Sequence, residues 1–309
     1  MIILYILLAI LLLYILFIVI PATVIYNFAF GRKPCSSPLT ERELIGTRYE
    51  PYIDILVPAE RFVQAQPDTW VSVFARDGVE LRGRYFDNHS DKTMLFVHGY
   101  CGAPISNFCA QAEHFYRQGW NLLFLVQRAH GESGGKRLGL GVLEQHDIPV
   151  WVDFCAKKPG VEKIVVYGSS MGAAAVGYAS DAIHEPKVKA LVIDCGFVAP
   201  RNQLEHDGRI RHLPYPMLIS VMRLLGKLDF HEDIYERVSD SLRHTDIPVL
   251  FLHGEADLTV DISQGLENYN ACASEKEFIS VPGASHILAY VTGGEKVWKE
   301  TDAFINRFV

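Results

Sequence analysis

The chain has no basic excess: 29 Lys and Arg stand against 36 Asp and Glu, a formal charge of −7. A general nucleic-acid binder needs a basic face for phosphates, so no nucleic-acid partner is expected, local patches aside. Cysteine is sparse. Six residues, at 35, 101, 109, 155, 195 and 272, lack paired spacing. That excludes a disulfide-scaffolded miniature protein and suits a reducing compartment better. No H-E-x-x-H and no strand–G-x-G-x-x-G–helix unit occurs, so neither a metal nor a dinucleotide cofactor is expected. Internal repeats are missing too. A hydrophobic fraction of 49% excludes wholesale disorder.

The most informative absence is local. Residues 1–31 carry no charged side chain, and Met1 to Ile20 is an almost unbroken run of Ile, Leu, Val, Tyr and Phe. Twenty helical residues at about 1.5 Å each match a hydrocarbon core of about 30 Å. A single transmembrane anchor is expected over 1–31. A cleaved signal peptide would want a basic n-region, a shorter apolar stretch and an A-x-A site, none of which is evident. Arg32, Lys33, Arg42 and Arg48 follow the run and no Lys or Arg precedes it. The positive-inside rule then keeps the body in the cytoplasm, with a signal-anchor of opposite orientation as the alternative.

Residues 32–68 look like a linker and lead-in, broken by Pro34, Pro38, Pro51, Pro58 and Pro67. The main domain is expected over 69–309. Val71–Ala75 and Leu81–Phe86 bracket Arg76-Asp77-Gly78 as a hairpin. Short continuous apolar runs follow at Met94–Val97, Leu122–Val126, Ile164–Tyr167, Ala190–Ile193, Val249–Leu252 and Phe278–Val281. Continuous apolarity suits strands covered on both faces. Helix-like stretches lie between them, among them Ser106–Gln118, Met171–His184 and Glu295–Val309. The sum is an α/β fold with a mostly parallel sheet of about eight strands. About fifty residues separate the fourth and fifth parallel runs, so a cap is expected over roughly 197–247, with a surface excursion as the duller alternative.

Gly168-Ser169-Ser170-Met171-Gly172 joins a strand to a helix rich in small residues. G-x-S-x-G at such a junction forces a sharp turn that exposes the central serine, here Ser170, above a helix N-terminus. A serine needs a base oriented by an acid. Asp257, after the Val249–Leu252 strand, is the natural acid; Glu255, Asp261 and Asp194 compete. His286 alone among twelve histidines lies in the loop after the last strand. The order Ser170, Asp257, His286 is the chain order of this class of triad. In His98-Gly99-Tyr100-Cys101-Gly102 the glycines let amides converge near Ser170, so the backbone N–H groups of Tyr100 and Met171 are the expected oxyanion donors. His98 is expected to brace that loop and Cys101 to line the pocket.

These features resemble the α/β-hydrolase superfamily over roughly residues 70–309. Within it the chain is similar to membrane-anchored bacterial serine hydrolases of the serine aminopeptidase-like and monoacylglycerol lipase-like branch. Arg128-Ala129-His130-Gly131-Glu132-Ser133-Gly134 looks like that family's R-x-H-G-x-S segment, which the resemblance makes structural. Val126 stands where relatives usually place an Asp, which puts the bracing of that loop in question. The resemblance implies no metal and no cofactor. It implies a serine hydrolase acting through an acyl-enzyme, most often on an ester, with a lipophilic acyl group suggested by the apolar cap and the tether. Peptidase or thioesterase chemistry on the same triad is the alternative, and Glu205, Asp207, Asp229, Glu232, Asp233 and Glu236 in the cap are what an aminopeptidase would want. A silent membrane-tethered binding module is the third reading, opposed by the intact triad.

Overall fold

Apolar side chains on successive residues of a strand point to opposite faces, so a run such as Met94–Val97 is stable only if both faces are covered. The computed structural model describes residues 1–35 and 39–309; of the linker prolines, Pro38 lies outside them. Eight strands form one sheet: β1 (Thr69–Phe74), β2 (Glu80–Phe86), β3 (Lys92–Val97), β4 (Asn121–Val126), β5 (Lys163–Ser169), β6 (Val188–Asp194), β7 (Val249–Gly254) and β8 (Lys276–Val281). Their order is β1-β2-β4-β3-β5-β6-β7-β8. β2 is antiparallel to β1 and β4, and every other neighbouring pair is parallel. In β3, Met94 and Phe96 belong to one hydrophobic core and Leu95 and Val97 to the other, on opposite faces of the sheet.

The N-terminal run is one apolar helix, α1 (Ile2–Phe30), of 29 residues. Its first 16 residues, Ile2 to Phe17, are exposed. A π-helical turn over Ile15–Val19 precedes Pro21, whose missing N–H would otherwise interrupt the ladder. From Ile18 within that turn onward, Ile18, Ala22, Tyr26 and Phe30, spaced by four, are buried in the core. The segment expected to be a linker contains a helix, α2 (Ile53–Gln64), with Pro58 inside it. Pro58 costs one backbone hydrogen bond, and burial of Leu56, Ala59 and Val63 offsets it.

α2, α3 (Cys109–Arg117) and α10 (Ala289–Asn306) cover one face of the sheet. α4 (Ile148–Ala156), α5 (Met171–Ala179), α8 (Val238–Leu242) and α9 (Ile262–Ala271) serve the other. Gly294, with φ 53°, divides α10, so its second part begins at Glu295. In the long insertion, α6 (Pro200–Ile210) and α7 (Tyr215–Asp229) form the cap. α8 instead packs into the core against α5: a Cβ on Gly177 would sit 2.5 Å from Val238 Cγ1. α7 also touches the second half of α1.

Candidate active site

The strand-to-helix turn after β5 is as tight as the glycines allow. Ser170 has φ 55° and ψ −117°. A Cβ at Gly172 would lie 2.0 Å from the Val97 carbonyl oxygen, and one at Gly168 would lie 2.4 Å from that of Gly172. Only glycine tolerates such approaches. The strain at Ser170 is the kind held at functional sites by surrounding structure, here by its N–H donating to the Asp194 carbonyl at 2.8 Å.

Ser170 Oγ lies 2.8 Å from His286 Nε2, and His286 Nδ1 lies 2.7 Å from Asp257 Oδ2. A carboxylate only accepts, so Nδ1 carries the proton and Nε2 is free to accept from Ser170. Burial alone would raise the Asp257 carboxyl. Contacts with His253 and His286 and the Val260 amide outweigh it and hold the group below its usual range. The competing acids are elsewhere. Glu255 is exposed, Asp261 caps α9 by accepting from the Ser263 amide, and Asp194 accepts from the Tyr167 hydroxyl at 3.1 Å.

The loop after β3 approaches Ser170 closely enough that a Cβ on Gly99 would sit 3.3 Å from Ser170 Cβ. Among the described residues, the amides of Tyr100 and Met171 donate to no protein group, while those of Gly99, Cys101 and Gly102 all do. His98 is fully buried, and burial followed by the nearby His130 pushes its pKa down to about 3. As a neutral ring it donates through Nδ1 to the Gly99 carbonyl at 2.7 Å and accepts the Gln127 N–H at Nε2. Cys101 lines a cavity beside Ser170, and burial raises its thiol, so it is no activated nucleophile.

Two supports of this loop, and one of the 128–134 segment beside it, escape sequence reasoning. Asn107 Oδ1 accepts the Gly99 amide at 2.9 Å. His130, inside the R-x-H-G-x-S segment, accepts the Cys101 N–H at Nε2. Ser133 Oγ donates to the Val126 carbonyl at 2.6 Å and accepts from the Arg82 amide. Val126 therefore does not leave the segment unbraced; Arg128, bidentate to Asp147 at 2.6 and 2.7 Å, anchors it from within. Arg32 and Lys33, read from sequence as topological charges, are also bound here: Arg32 donates to the Ser133 and Gly135 carbonyls, and the Lys33 amide donates to that of Ala129.

Ser170 stands between two cavities. One, of about 830 Å³, is lined mainly by apolar side chains of the cap and of α1. The other, of about 270 Å³, is more polar and includes Arg48, Asn107, Gln111 and His286. One potential metal-binding cluster lies among the described residues: ligand atoms of Cys195, Asp257 and His286 are within 4.8 Å of one another. Burial pushes the Cys195 thiol well above its ordinary range, so it stands beside Asp257 and His286 as a neutral thiol, a poor match for a divalent cation.

The eight-stranded sheet and its flanking helices have the α/β-hydrolase fold. Residues 88–230 match the sequence profile of the serine aminopeptidase, S33, family. It is 24% identical over 254 residues to the uncharacterised protein YqkD of Bacillus subtilis, covering 80% of this chain and 82% of that one. It is 25% identical over 252 residues to the α/β-hydrolase domain-containing protein WAV2 of Arabidopsis thaliana, covering 78% and 79%. Among solved structures, the Pyrococcus furiosus esterase Pf2001 superposes with a TM-score of 0.67 at 22% identity, over 90% of this chain and 98% of that one. That likeness is one of fold.

Proposed function

We propose that the chain is a serine hydrolase that cleaves carboxylic esters, with Ser170 as nucleophile, His286 as base and Asp257 as its orienting acid. The observation that carries this reading is the continuous path Ser170–His286–Asp257, at 2.8 and 2.7 Å, beside two unpaired amides. Ser170 Oγ attacks the acyl carbon as its proton passes to His286 Nε2. The Tyr100 and Met171 amides hold the oxyanion, and the collapsing intermediate expels the alcohol, which takes the proton back from Nε2. Water, deprotonated by the same nitrogen, then attacks the acyl-enzyme. The carboxylic acid leaves and Ser170 is reprotonated.

An ester is favoured over a peptide with a free amino terminus by how the cap acids are used. Glu205 pairs with Arg201 and Arg209, Asp229 with Arg137, Glu232 with His146, and Asp233 with Arg223 and Lys227. Asp207 is the cap acid that lines the large cavity, and it accepts from Gln203. No cluster of free carboxylates awaits an ammonium group among the described residues. The packing of Ala22, Tyr26 and Phe30 into the core supports retention of α1 as a membrane anchor, since a cleaved leader would uncover that surface. Six free cysteines and the charges after the helix support a body on the cytoplasmic side.

The test is fluorophosphonate labelling of the full chain in detergent, beside Ser170→Ala, with p-nitrophenyl esters as substrates. Labelling and hydrolysis should both vanish in the variant. A folded wild type that neither labels nor hydrolyses would overturn the reading.

A further inference from the structure

A membrane helix that serves only as a tether has no reason to enter an active site. α1 does enter it. At about 1.5 Å per residue its 29 residues reach about 43 Å, against a hydrocarbon core of about 30 Å. Its last two to three turns therefore extend beyond the core, and these are the turns that bear on the catalytic domain. Tyr26 donates to Asp229 at the end of α7 at 3.0 Å, and Phe30 packs on Phe230 with ring centroids 5.8 Å apart. With that side of the helix fixed, Val24, Ile25, Phe28 and Ala29 become one wall of the large cavity, facing Leu218 and Met222 of the cap. Ser170 is part of the same lining.

The outer rim is as informative as the lining. Phe17, Ile20, Val24 and Phe28 share one side of α1 by their spacing, and all are exposed. They make a continuous apolar track from the bilayer-spanning part of the helix to the cavity. The cap adds Met217, Leu224 and Leu228, exposed on α7. Large apolar surface at such a place marks a lipid or ligand contact. A volume of about 830 Å³ lies in the range of a ligand site, and its apolar walls suit a hydrocarbon chain. The cavity of about 270 Å³ on the other side of Ser170 is smaller and more polar, and it suits a small polar alcohol better than a second long chain.

The geometry points to a single-chain acyl ester resident in the bilayer as the substrate, its acyl chain passing along α1 into the cavity, with Ile25, Phe28 and Ala29 setting the chain length accepted. This rests on the ester-hydrolase reading and gives the N-terminal helix a part in specificity as well as attachment. Bilayer delivery suits the site because an acyl chain that moves from lipid to an apolar wall is never exposed to water.

The experiment uses the full chain in lipid nanodiscs, with p-nitrophenyl butyrate, octanoate, laurate and palmitate. Each added methylene should raise kcat/KM about fourfold until the cavity is filled. Ile25→Trp, which fills the cavity from the helix side, should move the optimum to shorter chains and lower the palmitate-to-butyrate ratio by about tenfold or more. Phe28 is mostly exposed, so Phe28→Ala should fold, and it should lower the ratio several-fold. Leu8→Ala, in the exposed first turns of α1, should leave it unchanged. Fluorophosphonate labelling reports an intact site in every variant, and Phe28→Ala decides if Ile25→Trp does not label. An optimum that stays the same in labelled Ile25→Trp and Phe28→Ala overturns the role of α1 while ester hydrolysis stands. Failure of the wild type on every ester overturns the hydrolase reading instead.

Discussion

The two oxygens of Asp257 are divided between a side chain and the backbone: Oδ2 faces His286 Nδ1 at 2.7 Å, while Oδ1 accepts the amides of Thr259 and Val260 at 2.8 and 2.9 Å. The backbone thus fixes the carboxylate plane, and the carboxylate fixes the imidazole. Asp257→Asn can retain the backbone contacts through its carbonyl oxygen but then presents an amide N–H to His286. The ring would turn its tautomer, and Nε2 would carry a proton where it must accept one. Ester hydrolysis should fall about 10³- to 10⁴-fold with little change in melting temperature. Asp194→Asn should not produce that loss; if it does and Asp257→Asn does not, the acid has been misassigned.

Asp194 affects stability instead. It is fully buried, and burial pushes its carboxyl up to about 7, against the pull of the Tyr167 hydroxyl and His253. Among the described residues its Oδ1 has no hydrogen-bond partner. In the unfolded chain the group ionises near pH 4, so between about pH 4 and 7 the folded state holds a proton that the unfolded state has released. Stability from this group is therefore lost as pH rises through that window, by on the order of 4 kcal/mol once pH exceeds 7. Asp194→Asn carries a constant cost for its unpaired amide but does not titrate. The wild-type melting temperature should drop between pH 5 and pH 8 by several degrees more than that of the variant. Parallel curves for the two proteins would mean that Asp194 does not ionise in this range.

His130 should act on rate without touching substrate. Its Nδ1 donates to the Arg128 carbonyl at 2.9 Å and its Nε2 accepts from Cys101, the residue after Tyr100. Burial holds its pKa down to about 4, so it remains a neutral acceptor over the physiological range. His130→Ala leaves the Cys101 amide unpaired and loosens the loop that aims the Tyr100 amide. The expected result is a lower kcat with KM nearly unchanged, smaller than the 10²- to 10³-fold cost of deleting an oxyanion donor outright. His130→Asn, which restores an acceptor, should recover part of the rate. An effect on KM alone would assign His130 to substrate binding.

The parts of this protein that were legible from sequence are those whose physics is local. Six short, continuously apolar runs marked strands that must be covered on both faces, and the Arg76-Asp77-Gly78 turn marked the hairpin of the other two. Gly168 and Gly172 marked the nucleophile turn because nothing larger fits there. Contacts between distant segments were not legible. Pro58 looked like a helix breaker, yet burial of Leu56, Ala59 and Val63 keeps α2 helical. Asn107 and His130 carry no motif that announces their contacts with the 98–102 loop. α1 is so uniformly apolar that its buried stripe at Ile18, Ala22, Tyr26 and Phe30 has no contrasting polar face to reveal it.

That stripe makes α1 a part of the catalytic domain, and its weight is measurable. Phe30 is completely buried between Tyr26, at a ring distance of 4.9 Å, and Phe230 at the end of the cap. Removal of a buried phenyl ring takes away its transfer energy and leaves a cavity, together about 3–5 kcal/mol when the surroundings do not collapse. Phe30→Ala should therefore lower the stability of the full chain in detergent by about that amount, and it should loosen the cap as well, because α7 loses a contact with α1. Phe17→Ala is the matched control: the same truncation at an exposed position of the same helix should cost little. If the two variants melt together, α1 does not pack on the domain in solution and is only a tether. If Phe30→Ala alone destabilises, the helix is a structural element of the hydrolase, held against the cap that stands over Ser170.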